Sequence, residues 1–422
     1  MMINKQNGRT IFRATSAAIT FVVVALTLVC SSVTTAFAQS KNLVYVESNI
    51  SGANGTCTVN CNSVIGYSND GAGNLTPLPG SPYMTGGAGV AWIPPASDAS
   101  VDSDQQLIVN PAASLLFAVN AHSNTVAAFG INSDGSLTAA SGSPFASGGQ
   151  EPVSLGLKVE SGGKYLMTVL NKNSDPTQNG GSPNYTNFDV SSSGVMSMIA
   201  GSTYNLPSGL SPGQVLMRPT GKFWYGIEFM NNDVATYTYS GSYSNATNTL
   251  VSSSIPPVTT PAALGAVFHP SRQAFYVGLV AANQVAVYSV NTTTGAASFY
   301  TSVSINGAGQ PVATTPCWLA VNAKGTTLYV ADTPTSIVSV FDITNAHNPK
   351  LLQNLVVSGA GALPTNMALD TTGNFLYVVD RKSTLHVINV QSNGTLSETL
   401  APVALPTPSG TTPMGLAVVS LP

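Results

Sequence analysis

Charge is scarce in this chain. Of its 422 residues only 7% are charged, against about 25% in an ordinary globular domain. The 14 Lys and Arg against 17 Asp and Glu leave a net charge of −3, so no basic footprint for a nucleic acid exists. Helical periodicity is missing after the first forty residues, which excludes a helical bundle. The one long apolar run, Ala17 to Cys30, is stopped by Ser31, Ser32, Thr34 and Thr35, short of the ~20 residues of a membrane span. Cysteine is equally sparse, at four. Cys57 and Cys61 lie four positions apart without a neighbouring His, which argues for a disulfide across a loop over a zinc site. Cys317 sits in an apolar strand and reads as a buried free thiol. No phosphate-cradling glycine loop is present.

What is there begins with an export signal. Lys5, Arg9 and Arg13 precede the apolar run, and Ala36-Phe37-Ala38 is a small-x-small cleavage site. The reading is a signal peptide over 1–38, removed, and one domain over 39–422. Cleavage would take three positive charges and no negative ones, moving the net charge from −3 to −6. The destination is the periplasm or the extracellular space.

The rest of the chain repeats itself. Gly373-Asn374-Phe375-Leu376-Tyr377-Val378-Val379-Asp380 is echoed by Gly325 to Asp332 and, more loosely, by five further copies. Their central residues are Tyr45, Phe117, Met167, Tyr225, Tyr276, Tyr329 and Tyr377, spaced by 72, 50, 58, 51, 53 and 48 residues. A period near fifty with several short strands in each unit is the signature of a repeat architecture. In the last unit a Pro-led strand (Pro364 to Leu369) precedes the Leu-Tyr-Val strand. An alternating strand (Leu385 to Val390), an Asn393-Gly394 hairpin turn and a short strand from Leu396 follow. Four antiparallel strands in each of seven units predict an all-β fold, a seven-bladed β-propeller. Unit one lacks its Pro-led strand, while Pro413 to Val419 is a spare one. The C-terminal strand is therefore expected to join blade one and close the ring, hiding the sheet edges.

That topology places the end of each Leu-Tyr-Val strand on one face, termed the upper face. Three insertions, Ile50 to Asn62, Pro79 to Gln106 and Lys172 to Asn187, map to the same face, which marks it for binding. Glu47, His122, Asn171, Lys172, Glu228, Asp332, Asp380 and Arg381 are expected around the upper channel mouth, with Glu151 beside them. Crowded carboxylates shift each other's pKa or hold a cation. His122 or Glu228 could serve as a base and Arg381 or Lys172 as an anion stabiliser. For Asp332 and Asp380 the plainer role is capping the next turn. Tyr83, Trp92 and Tyr185 could stack on a sugar or grip a peptide, or simply pack their loops. No cofactor is expected. The run Asp98 to Asp104 offers oxygens to calcium but lacks the Gly and terminal Glu of the well-known calcium loop.

The Leu-Tyr-Val-x-Asp repeat, with the linkers Gly80-Ser81-Pro82-Tyr83 and Gly142-Ser143-Pro144-Phe145, resembles the lactonase-type and YVTN propellers related to 6-phosphogluconolactonase. The resemblance implies a paired His motif at the start of blade three, where this chain has Pro152-Val153-Ser154. It implies an Arg-His pair at the start of blade four, where Pro212-Gly213-Gln214-Val215 stands. It implies an acidic residue near Glu228, one position later than the chain supplies it. Two functions stay open. The favoured one is a monomeric binding or scaffold protein acting on a small molecule, carbohydrate or protein at the upper face. The alternative is a sugar-lactone hydrolase.

Overall fold

Short alternating strands bounded by glycine turns fold into seven antiparallel sheets in a computed structural model. The structure describes residues 41–51, 60–91, 102–175, 177–178, 181–219, 221–241, 245–260 and 262–421. The expected signal, Cys57 and Trp92 lie outside them. Blade seven runs Pro364–Leu369, Phe375–Asp380, Thr384–Val390, then an outer strand in two pieces, Leu396–Ser397 and Val403–Ala404. Blades one, two and three break their outer strand in the same way, whereas blades four, five and six keep it whole. In blades one and two the Gly-Ser-Pro linkers make the break, so Tyr83–Met84 and Phe145–Ala146 form the second pieces. The second insertion therefore starts after Met84, later than the sequence suggested. The third ends before the strand Asn184–Val190, because Asn184 to Asn187 already pair with the neighbouring strand.

The C-terminus closes the ring as expected. Leu416–Leu421 is the innermost strand of blade one, pairing antiparallel with Lys41–Glu47 in the register Val46↔Leu416 to Lys41↔Leu421. Each sheet presents apolar side chains to both neighbours, so the core is a set of clusters between adjacent blades.

The repeated tyrosine has a definite task. Tyr45 donates to the carbonyl of Gly135 at 2.7 Å, Tyr225 to Gly295 at 2.8 Å, Tyr276 to Ala346 at 2.9 Å and Tyr329 to Gly394 at 3.0 Å. In every case the acceptor is the lower hairpin of the next blade. Tyr377 joins blade seven to blade one by accepting from Asn69, while Phe117 and Met167 in blades two and three have no hydroxyl to give. At Gly295 the turn needs φ +73, and an added Cβ would lie 2.1 Å from Phe223, so only glycine fits there. Cys317 is buried and free, as expected. Burial raises its pKa far out of the reactive range.

Candidate functional site

Register places Asn171, Glu228, Asp332 and Asp380 on the upper rim, because strand one begins there. Pro152 pairs with Asn171, Pro212 with Glu228, Pro316 with Asp332 and Pro364 with Asp380. Their side chains, however, do not converge. Each bonds mainly to its own blade or to the loop beside it. Glu47 Oε1 accepts from Asn62 at 3.0 Å, and burial pushes its pKa well above the carboxylate range. Glu228 Oε1 accepts from Tyr237 at 2.8 Å, and burial pushes its pKa up to about 7. Asp332 Oδ2 accepts from Ser339 at 2.6 Å and is likewise raised by burial. Asn171 donates to Ser147 O and Asn184 Oδ1. Asp380 caps its turn through the Lys382 amide and meets His386 Nε2 at 3.3 Å. The other nitrogen of His386 lies 2.7 Å from Glu398. Burial alone would lower the pKa of His386, but these two carboxylates outweigh it and raise it. Tyr185 is fully buried between blades three and four, 4.7 Å edge-on to Trp224. It has no face left for a sugar.

Two groups of the expected residues do meet. Glu151 accepts from the amides of Ser174 and Asp175 and so shapes the third insertion. That places Asp175 Oδ2 3.0 Å from His122 Nδ1, with His122 27% exposed. Burial alone would raise Asp175, but hydrogen bonds from Thr177, His122 and Gln178 hold it below its ordinary pKa. Asp175 went unnoticed in the sequence. Its signal was the Asx turn it makes with Thr177.

The second group is a seal. Arg381 pairs with the Asp102 carboxylate while its guanidinium stands 5.4 Å over the Trp318 ring. Lys172, almost fully buried, donates to the Asp102 carbonyl at 2.8 Å. Asp102 thus serves as the acceptor for both expected anion-stabilising cations. The segment continues across the channel. Trp318 Nε1 donates to Ser103 O at 2.8 Å, Asp104 N to Gly213 O at 3.0 Å, and Leu155 N to Gln105 O at 3.0 Å. Asn366 Nδ2 donates to Asp104 Oδ1 and to Gln106 Oε1. Residues 102–106 are therefore fastened to blades two, three, four, six and seven over the upper mouth. Asp98 to Val101 of the suggested calcium loop lie outside the described residues. Among the described residues no three His, Cys, Asp or Glu side chains group as metal ligands.

The positions where the resemblance implies catalytic residues hold inner strands together instead. Ser154 Oγ accepts from Val215 N at 3.0 Å, tying blade three to blade four. Gln214 bonds both the amide and the carbonyl of Ala266, tying blade four to blade five.

Residues 214–413 match the family described as "Lactonase, 7-bladed beta-propeller". The match takes in 200 of the 422 residues, the C-terminal blades of the ring. Solved structures agree with this propeller in fold. The periplasmic gluconolactonase of Pseudomonas aeruginosa is 16% identical, with TM-score 0.68, covering 91% of this chain and 100% of its own. A protein of Bacteroides uniformis assigned as a 6-phosphogluconolactonase is 12% identical, with TM-score 0.68, covering 90% and 100%. A protein of Lactobacillus plantarum is 14% identical, with TM-score 0.67, covering 90% and 100%. No curated relative matches the chain. At such identities the likeness carries the fold, not the reaction.

Proposed function

We propose that this propeller is an exported, monomeric, non-hydrolytic binding protein that offers its upper face to a small molecule, a carbohydrate or a protein. The observation that carries the reading is the use of Ser154 and Gln214 as inter-strand ties where a lactonase would hold its catalytic groups. The seal adds to it. Asp102 already engages Arg381 and Lys172, the cations that would stabilise a developing oxyanion. A ligand would then meet the surface of the insertions and not the channel beneath. Export is supported by residues 1–38 and by the periplasmic address of one structural neighbour. A Cys57–Cys61 disulfide fits that compartment, and Cys61 is not among the free thiols.

Lactone hydrolysis is the second reading, supported by the family match and by the His122–Asp175 pair. In such a pair the carboxylate orients the imidazole. A panel of sugar lactones, assayed with and without calcium on wild type, His122→Ala and Glu228→Gln, separates the two. The binding reading expects only the background rate. Wild-type turnover that vanishes in either variant would defeat it.

A further inference from the structure

Beneath the seal lies a cavity of about 660 Å³ running down the central channel, within the ~300–1,000 Å³ range of small-molecule sites. It reaches the lower face at Pro111 and Thr371, both exposed. Its walls are the inner strands, where Asn110, Gln214 and Ser420 alternate with Ile108, Phe268 and Val418. Its upper end is different. Asp104 is the single ionisable residue among those that line it, and Gln105 stands beside it.

The hydrogen bonds at that end are incomplete in one direction. Asp104 Oδ1 accepts from Gln105 N at 2.8 Å and from Asn366 Nδ2 at 2.9 Å, while Oδ2 accepts from none of the described residues. Gln105 Oε1 is buried and also has no donor among them. Both orphans are acceptors. A buried acceptor without a donor is costly, which is the case for Gln105 Oε1, while half-buried Asp104 offers its free Oδ2 to a positive partner in the channel. The charged groups on the elements packed against Asp104, namely Asp102, Lys172 and Arg381, engage one another. Burial pushes Asp104 up to about 6, which leaves it mostly ionised at neutral pH.

We propose that the channel, entered from the lower face, binds an elongated amine whose ammonium head donates to Asp104 and Gln105. An ammonium suits this end because it brings three donors and no acceptor. A carboxylate would add acceptors to acceptors. The proposal adds a ligand class to the binding reading but stands on a different site, so lactone turnover would overturn that reading and leave this one testable.

The test is isothermal titration of the full propeller with octylammonium, 1-octanol and octanoate. Octylammonium is expected to bind one to one, at least roughly tenfold tighter than either analogue. Asp104→Asn, which keeps the shape and can keep both Oδ1 bonds, should erase that preference with the thermal unfolding midpoint nearly unchanged. Ala417→Phe, which narrows the channel, should weaken all binding. Equal binding of the three probes, a preference that survives Asp104→Asn, or no binding at all would each overturn the proposal, the last leaving a water-filled channel.

Discussion

The two ends of the central channel are built from the same seven blades yet are opposite in character. The upper end is polar, crossed by Asp102 to Gln106, and its cations are already paired. The lower end is uncovered and reaches solvent at Pro111 and Thr371. The strands alone set polar stops on the upper rim but would leave both ends open. What separates them is an insertion between blades one and two, which shows how a repeat scaffold gains an individual site from one loop.

Both ends depend on the ring, so the largest effect should come from opening it. Deleting residues 413–422 removes the inner strand of blade one and exposes the edge of Lys41–Glu47. The expected result is loss of the cooperative unfolding transition in circular dichroism. A truncated chain that still melts cooperatively would show that the closure is dispensable.

Next in size is an attack on the seal alone. Arg381→Ala leaves Asp102 without its guanidinium, only partly exposed to water. Breaking such a pair should cost about 2 kcal/mol, less than a fully buried one. Denaturant unfolding reads this, and Asp102→Ala/Arg381→Ala should lose less than the sum of the single variants. Strict additivity would mean the contact is not a coupled one.

Glu228 offers a pH-dependent contrast on the same rim. Its folded pKa is raised from 4.5 to about 7, so the protonated form belongs to the folded state. Its contribution is full below the unfolded value and is lost as pH rises through about 7. Glu228→Gln should therefore raise the unfolding midpoint at pH 8 and leave it nearly unchanged at pH 4. An equal loss at both pH values would contradict the burial argument.

The smallest effect belongs to the shared scaffold below. Tyr329→Phe removes one inter-blade bond to Gly394 and should cost about 1 kcal/mol in urea unfolding. The upper seal should be untouched.

These contrasts also explain what could be read from residues alone. The Leu-Tyr-Val strands, the Pro-led strands and the closing strand follow local rules of alternation and turn chemistry, so Pro364–Leu369 emerged with its limits. The spacing placed Tyr329 and Tyr377, though not their reach to the next blade. The polar stops reached the expected rim, but their directions are set by partners on strand three, such as Ser339 for Asp332 and Tyr237 for Glu228. No period encodes that. Asp102 was weighed only as a calcium ligand, because nothing local ties it to Arg381, 279 positions away in the chain. Asp104 became visible only once the channel had walls.

The most direct test of a closed upper mouth is amide hydrogen exchange on the native protein. The amides of Asp104 and Leu155, which bond Gly213 O and Gln105 O, should be protected nearly as well as the strand amide of Leu216. Asp102→Ala should release the Asp104 amide while leaving Leu216 slow. Rapid exchange at Asp104 in the unmutated chain would mean that the mouth stands open and that the seal is not part of the fold.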